Sequence, residues 1–260
     1  MPAATGSEIA LSDLPRIDHH EAMELAEIEN ARLLDALGEL TAEDWSVRTD
    51  CAHWDVRAIA VHLIASAQAQ ANPLEFARQV AAGRRRIKRL DYATHWVDGL
   101  NEAQLQARRH LRASELPALW ATTSAAALRA RRRLPGLIRR LPVLPLGELH
   151  GTRLGWQPLG YLFDIGFTRD VWMHRVDIAR ATGKPLRLTA DHDGRLIADI
   201  AAEWAIRHNQ PVTLHLRGVA GGRYALHGGG ELVALDAVQF CRVLSGRAPG
   251  EGLLRHALPL

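Results

Sequence analysis

Asp170 and His174 are the residues whose types and spacing most clearly allow chemistry. They lie four residues apart in the segment 160–181 (GYLFDIGFTRDVWMHRVDIARA), whose apolar residues predict a helix. Side chains at positions i and i+4 of a helix reach a common point above one face. Most of the remaining circumference is apolar, which predicts a buried helix central to a bundle. An ionised aspartate buried there needs a charged or hydrogen-bonded partner, and a divalent cation would serve both residues.

His62 is a third candidate ligand, on a second predicted helix that Trp54 and Asp55 open. It lies at the edge of the apolar stripe of that helix. We therefore expect its side chain to face a polar group of a neighbouring helix and not the centre of the apolar core. Two histidines and one carboxylate with open positions form the ligand set of catalytic zinc or of a non-haem Fe(II) site. A hydrogen bond between Asp170 and His174 would also explain their spacing, so the pattern alone leaves both interpretations open.

The composition excludes several classes of protein. The 260 residues carry a net charge of +3, and only two of the 32 basic residues are lysines. Acidic residues interleave the arginine runs at 84–86, 131–133 and 139–140, and aromatic residues are sparse there, so we interpret these runs as solvated faces and expect no nucleic-acid partner. No apolar run is long enough to span a membrane. Residues 1–17 are predicted to be a loose leader without the apolar core of a signal peptide, so we expect a cytoplasmic protein. Cys51 and Cys241 lie far apart and lack CxxC spacing, so we expect both to be reduced thiols.

The fold class that the pattern predicts is mainly α. Further helices are expected at residues 18–38, 74–87, 92–111 and 115–133, and residues 141–158 are expected to form a long connection that could line a substrate entrance. After Gly183 the character changes: a helix at 191–207, strands at 211–217, 223–227 and 231–235, and a helix at 237–245 predict a small α+β unit. We therefore expect two domains, at 1–185 and 186–260.

Three stretches carry a family resemblance. The segments 40–45 (LTAEDW), 49–57 (TDCAHWDVR) and His62-Leu63 resemble the N-terminal signature of the mycothiol-dependent maleylpyruvate isomerase family, part of the DinB-like superfamily. Residues 169–178 (RDVWMHRVDI), with Ala181 and Gly183, resemble its second signature. Residues 240–247 (FCRVLSGR) resemble the end of its small C-terminal domain.

The resemblance implies a DinB-like four-helix bundle that binds a divalent metal, usually zinc, followed by an SCP2-like α+β domain. Carried over, the family's metal ligands fall on His62, Asp170 and His174. The family pattern has Glu where this chain has Asp170, a side chain one methylene shorter. Arg247 in the tail, with Arg223 behind it, is the candidate for binding a substrate carboxylate, since a guanidinium binds carboxylates with two parallel hydrogen bonds.

The function that the resemblance implies is mycothiol-dependent isomerisation or S-transfer. A metal-bound low-molecular-weight thiolate would attack an electrophilic, maleylpyruvate-like substrate. Two alternatives stay open: a hydrolase of thiol adducts that uses metal-bound water, and a non-catalytic module that binds a small molecule or lipid with a structural or absent metal. The expected partners are a small-molecule substrate and the thiol, in a monomer or homodimer.

Several other residues receive structural interpretations. Asp177 is expected to accept a hydrogen bond from a ligating histidine, rather than to be a fourth ligand. Cys51 is interpreted as a packed thiol because no activating His–acid arrangement is visible around it. Three tryptophans are assigned to the core and three histidines to the surface or loops: Trp45, Trp54, Trp172, His19, His20 and His53.

Overall fold

The structure, a computed structural model, describes residues 8–92, 95–149 and 152–260. The α-helices are α1 (His19–Gly38), α2 (Val56–Ala71), α3 (Pro73–Arg86), α4 (Trp96–Ala107), α5 (Leu116–Arg132), α6 (Gly136–Arg139), α7 (Phe167–Thr182), α8 (Arg195–His208) and α9 (Ala237–Leu244). The strands are β1 (Ile9–Ala10), β2 (Leu144–Leu149), β3 (Thr152–Gln157), β4 (Val212–Arg217), β5 (Gly222–Leu226) and β6 (Glu231–Asp236). This element order confirms the predicted class, a mainly helical fold with a small α+β part.

The chain packs as two units. The helical unit comprises residues 19–144 and 158–186, and the α+β unit comprises residues 8–18, 145–157 and 187–260. The junction at 186–187 lies one residue from the domain boundary that we propose at 185–186. Residues 8–18 and 145–157 belong to the same unit as residues 187–260. A single boundary in the sequence therefore does not separate the two units.

The helical unit is a bundle of α1, α2, α5 and α7. α2 and α1 each pack against both α5 and α7, and buried apolar side chains such as Leu33, Ile59, Leu63, Trp120 and Ile178 fill the space between them. Their burial follows from the helical spacing of apolar residues in each segment. Asp55 caps α2 by accepting a hydrogen bond from the Ala58 N–H at 2.7 Å. Gly183, in the left-handed conformation at φ 68°, ends α7.

Helices α3 and α4 pack against each other and against α2. They approach so closely at Gly83 and Gly99 that a Cβ at Gly99 would lie 2.5 Å from the Gly83 carbonyl oxygen. Only glycine permits this approach. α4 is shorter than the predicted 92–111, because it begins at Trp96, behind a His95–Asp98 capping box, and ends at Ala107.

The helix predicted at 160–181 is not uniformly α-helical. Residues Tyr161–Gly166 form one π-helical turn before α7 begins. Arg131 holds this turn: its guanidinium donates to the Phe163 carbonyl at 2.7 Å and to the Thr168 hydroxyl at 2.9 Å. The interpretation of the 131–133 run as solvated is therefore wrong for Arg131, which is 3% exposed. Burial lowers the pKa of Arg131 to about 10, still well above neutrality.

The α+β unit contains a four-stranded sheet in the order β1-β5-β4-β6. β4 is antiparallel to β5 and parallel to β6, and β1 is parallel to β5. The predicted helix at 191–207 appears as a π-helical turn, Ala190–Gly194, followed by α8. Trp204 of α8 and Phe240 of α9 are fully buried and meet edge to face at 5.3 Å.

Two sequence predictions about connections are wrong. Within the predicted leader, Ile9 and Ala10 pair with Tyr224 and Ala225 as β1, while residues 1–7 lie outside the described residues. The predicted connection 141–158 contains the two-stranded sheet of β2 and β3. Among the described residues, no helix combines the length and hydropathy needed to cross a membrane.

Candidate metal centre

The structure brings His62 of α2 together with Asp170 and His174 of α7. The two carboxylate oxygens of Asp170 lie 3.4 Å from His62 Nε2 and 3.4 Å from His174 Nε2, one oxygen to each ring. The candidate donor atoms of all three residues lie within 4.8 Å of one another. Both histidines are buried, whereas the Asp170 side chain is 29% exposed, so the prediction that it is buried is wrong. The partial exposure gives the cluster an opening on the carboxylate side.

A chain of amides fixes the tautomer of His62. Gln79 donates from Nε2 to the Ala65 carbonyl at 2.9 Å, which identifies its nitrogen and turns its oxygen toward Gln104. Gln104 must therefore present its Nε2 to Gln79, at 2.7 Å, and its Oε1 to His62 Nδ1, at 2.8 Å. His62 donates through Nδ1–H, and its Nε2 is directed at Asp170.

The far end of this chain is anchored by charge. Gln79 Nε2 also donates to Glu75 Oε1 at 2.8 Å, and the same carboxylate accepts hydrogen bonds from Arg78 and Arg108. The Arg78 hydrogen bond is the main reason that the pKa of Glu75 falls to about 2. The carboxylate, ionised at neutral pH, accepts from Gln79, and the Gln79 oxygen in turn accepts from Gln104, so the carboxylate orients both amides.

The carboxylate of Asp177 places the proton of His174 on Nδ1, as Gln104 does for His62. Asp177, which is fully buried, accepts from His174 Nδ1 at 2.9 Å and from the Cys51 thiol at 3.2 Å, both at Oδ2. Asp177 thus occupies the supporting position expected for it. The Cys51 expectation is wrong in one respect: the folded chain does place a His–acid pair beside this thiol, through a contact 126 residues away in sequence.

The donor atoms in the centre fit a cation. With both Nδ1 atoms committed as donors, each ring in its neutral form presents an Nε2 lone pair toward the Asp170 carboxylate. Such a group is electrostatically unfavourable without positive charge, and imidazole nitrogens with a carboxylate are the donors that zinc binds. The Gln104 and Asp177 hydrogen bonds are of the kind that orients ligating histidines.

A second cluster shares His174 but does not need a metal. Cys51, His174 and Asp177 also place donor atoms within 4.8 Å of one another. Here two protons, on Cys51 Sγ and His174 Nδ1, already point at one carboxylate, so the charge is satisfied by hydrogen bonds. The chemistry of the donors therefore favours the Nε2 side of His174 as the metal position.

Trp54 forms a wall of the centre. Its ring lies 5.0 Å from the His62 ring and 5.8 Å from the His174 ring. Trp45 and Trp172 are buried as the sequence predicts, whereas Trp54 is only partly buried. The indole therefore packs beside both imidazoles on this side of the centre.

The other candidate residues lie elsewhere. Arg223 is on β5, beside His215, and Arg247 follows α9, where it donates to the Leu260 carbonyl at 3.4 Å; both belong to the α+β unit. His20 and His53 are exposed as expected. His19 is not a simple surface group, because its Nδ1 lies 2.9 Å from Asp164 Oδ1.

Sequence reasoning missed Gln79 and Gln104. Both are almost fully buried, at 2% and 3% exposure, in helices whose neighbouring residues are polar. The only available signal was a glutamine on the inner face of each predicted helix, and such a position is equally compatible with solvent.

Comparisons with known proteins concern the family and the fold of this chain. Residues 26–179, more than half of the chain, match the family model described as the mycothiol maleylpyruvate isomerase N-terminal domain. Two solved structures are similar in fold, that of the mycothiol-dependent maleylpyruvate isomerase (TM-score 0.57) and that of its histidine-to-alanine mutant (TM-score 0.56). Each is 18% identical, and the alignment covers 92% of both chains. A search of curated proteins found no match. The extent of the family match shows that this chain belongs to the mycothiol maleylpyruvate isomerase N-terminal domain family.

Proposed function

We propose that this protein is a metal-dependent enzyme that uses mycothiol to isomerise a maleylpyruvate-like substrate. The observation that carries the proposal is the convergence of His62, Asp170 and His174, whose candidate ligand atoms lie within 4.8 Å of one another, in a chain of this family. These three residues would hold the divalent metal, with zinc the expected ion. When bound, the metal would stabilise the anionic form of a low-molecular-weight thiol at neutral pH.

The residues of the chain have separable roles in this proposal. Gln104 and Asp177 keep the two Nε2 lone pairs directed at the metal position. Trp54 shields both imidazoles, which strengthens the electrostatic interactions of the cluster. The partly exposed side of Asp170 is where the thiol and substrate would enter.

The reaction needs no nucleophile from the protein. The thiol sulfur would add to the cis double bond of the substrate, the new single bond would rotate, and expulsion of the thiol would leave the trans isomer. We include Arg247, with Arg223 behind it, as the proposed partner of a substrate carboxylate, because a guanidinium matches a carboxylate with two parallel hydrogen bonds. Cys51 has no part in this chemistry, since its proton is held by Asp177.

Asp170 favours S-transfer as a second candidate reaction. Its side chain is one methylene shorter than the glutamate of the family pattern, so the ligand set that would hold the metal differs at this position. In S-transfer the thiol sulfur would add to an electrophilic carbon of the substrate, the neighbouring carbon would take up a proton, and the thioether would be released without elimination of the thiol.

The test is turnover of maleylpyruvate by the zinc-loaded protein with mycothiol, followed by the absorbance of substrate and product. We expect thiol-dependent isomerisation in the wild type, its loss in Asp170→Ala, and its retention in His20→Ala, which alters an exposed histidine. A thioether product without isomerisation would identify S-transfer. Hydrolysis of a mycothiol adduct without either reaction would favour the hydrolase, and a metal-free protein inert with every thiol would favour the binding module.

A further inference from the structure

A group of exposed apolar side chains follows α5 in the helical unit. Elsewhere in the described chain the large apolar side chains that are exposed occur singly, but four of them fall within residues 137–143. They are Leu137 (76% exposed), Ile138 (41%), Leu141 (46%) and Val143 (49%). Single exposed apolar residues are ordinary in proteins, whereas a group of them marks a surface that contacts another apolar surface. We call this group the Leu137 surface.

Hydrogen bonds hold the backbone that carries the Leu137 surface. The guanidinium of Arg139 donates to Asp164 Oδ2 at 2.7 Å and to the Leu134 carbonyl at 3.3 Å. The Leu159 N–H donates to the Leu141 carbonyl at 2.9 Å, which ties the segment to the residues before the π-helical turn. The apolar side chains are therefore presented from a backbone that is already ordered, so little conformational entropy is lost when they dock.

The Leu137 surface lies in a stretch of the sequence that has no acidic residues. Residues 116–147 include six arginines and neither aspartate nor glutamate, so the acidic residues near the arginine runs all lie outside this stretch. Three of the six arginines have partners within the helical unit. Arg131 is buried against the π-helical turn, and Arg132 and Arg139 each form an ion pair with a carboxylate, at 2.7 Å in both cases.

The other three arginines are exposed, and none of them forms an ion pair with a described residue. Arg129 and Arg133 lie four residues apart at the end of α5, so they share one side of that helix. Arg133 precedes Leu137 by four residues, and Arg140 directly precedes Leu141. The apolar side chains of the Leu137 surface are therefore accompanied by positive charge that no carboxylate of the described chain neutralises.

This charge decides between two possible occupants of the surface. In a two-fold dimer both copies use the same patch, so a second copy of this chain would bring arginine against arginine. An anionic lipid bilayer instead offers negative head groups to the guanidinium groups and an acyl boundary to the apolar side chains. A surface of this kind lies on a bilayer without crossing it, as is consistent with the absence of a membrane-crossing helix among the described residues.

We propose that the Leu137 surface attaches this protein reversibly to an anionic lipid bilayer. The four apolar side chains enter the boundary between head groups and acyl chains, and the exposed arginines attract the anionic head groups. Because so few side chains take part, the attachment is weak, and it weakens further as salt screens the charges. It is independent of the thiol chemistry proposed for the metal centre.

The experiment is co-sedimentation of the full chain with lipid vesicles, made of phosphatidylcholine alone or of phosphatidylcholine with phosphatidylglycerol. We expect the wild type to bind the vesicles that contain phosphatidylglycerol, to bind them less at high salt, and not to bind phosphatidylcholine alone. Binding should be about tenfold weaker in Leu137→Ser and about fivefold weaker in Arg140→Ser. The matched controls Leu74→Ser and Arg85→Ser make the same changes at exposed positions of α3 and should bind as the wild type does.

Three results would overturn the proposal. The first is no sedimentation of the wild type with anionic vesicles. The second is binding that Leu137→Ser leaves unchanged or that Leu74→Ser weakens equally, with each variant confirmed as folded by circular dichroism. The third is a dimer, detected by light scattering without lipid, that Leu137→Ser dissociates, because this result would assign the surface to a second copy of the chain.

Discussion

Replacing Gln104 with leucine tests whether the amide chain behind His62 is what directs this histidine at the metal. Leucine keeps most of the volume but removes two hydrogen bonds, of 2.8 Å to His62 Nδ1 and 2.7 Å to Gln79 Oε1. His62 is 7% exposed, so its Nδ1 proton has no ready access to water as a substitute partner. The ring is then free to rotate or change tautomer.

The expected loss has two parts. A buried donor and a buried acceptor left without partners cost about 1–3 kcal/mol each, so unfolding of the metal-free protein should become easier by about 2–6 kcal/mol. Removing the hydrogen bond behind a ligating histidine weakens metal binding about 10- to 100-fold. That loss corresponds to about 1.4–2.7 kcal/mol of binding free energy.

Zinc affinity measured by competition with a chromophoric chelator, together with urea unfolding of the metal-free protein, separates the two effects. Gln106→Leu is the matched control, since it makes the same change at an exposed position of α4. Gln104→Glu retains an acceptor for His62 Nδ1 but loses the donor to Gln79 Oε1, so two oxygens face each other there. We expect it to bind zinc more tightly than Gln104→Leu, at a cost in stability of the metal-free protein. Wild-type zinc affinity in Gln104→Leu would refute the reasoning.

Three further predictions follow from buried groups. Asp177→Asn exchanges the acceptor of the His174 Nδ1 proton for an amide that can flip, and we expect zinc affinity to fall about 10- to 100-fold in the same competition assay; an unchanged affinity would remove Asp177 from the account. Arg131→Met leaves the carbonyl of Phe163 and the hydroxyl of Thr168 without their donor and should cost about 2–4 kcal/mol in urea unfolding, whereas Met at exposed Arg133 should cost less than about 0.5 kcal/mol. Burial, with smaller effects of His256 and His227, lowers the pKa of His208 from 6.5 to about 4. The unfolded chain therefore binds this proton first, and stability falls as the pH drops from about 6.5 toward 4. His208→Gln should flatten the melting temperature over that window, and an unaltered pH profile would show that His208 is not its cause.

Helical periodicity located most of the elements, including the two helices that carry the candidate centre. The apolar residues of α2 and α7 recur at helical spacing, and in both cases they face the bundle core. The residues at the helix ends are of types typical of caps: Asp55 and Asp236 cap α2 and α9, and Gly183 ends α7. Local sequence encodes these features, so local reasoning finds them.

Features that depend on distant contacts were not predictable in this way. The π-helical turn before α7 is fixed by Arg131, which looks like any member of an arginine run until the fold buries it. β1 is two residues long and exists through pairing with β5, more than two hundred residues later. The two-stranded sheet of β2 and β3 lies in a Pro- and Gly-containing segment that resembles a loop.

In the candidate centre, too, some residues can be predicted from local sequence and others depend on distant contacts. His62, Asp170 and His174 were accessible from residue type, spacing and family resemblance. Gln104, Gln79 and Cys51 were not, because their hydrogen bonds join residues 25 to 126 positions apart. The groups that orient the histidines are therefore a result of the folded structure.

The most direct test of the central claim is the zinc content and zinc affinity of the purified protein, measured by elemental mass spectrometry and chelator competition. The wild type and His20→Ala should each hold about one zinc ion per chain, and His62→Ala, Asp170→Ala and His174→Ala should each lose it while remaining folded by circular dichroism. Equal zinc content in all five proteins, or none in a wild type supplied with zinc, would contradict the account.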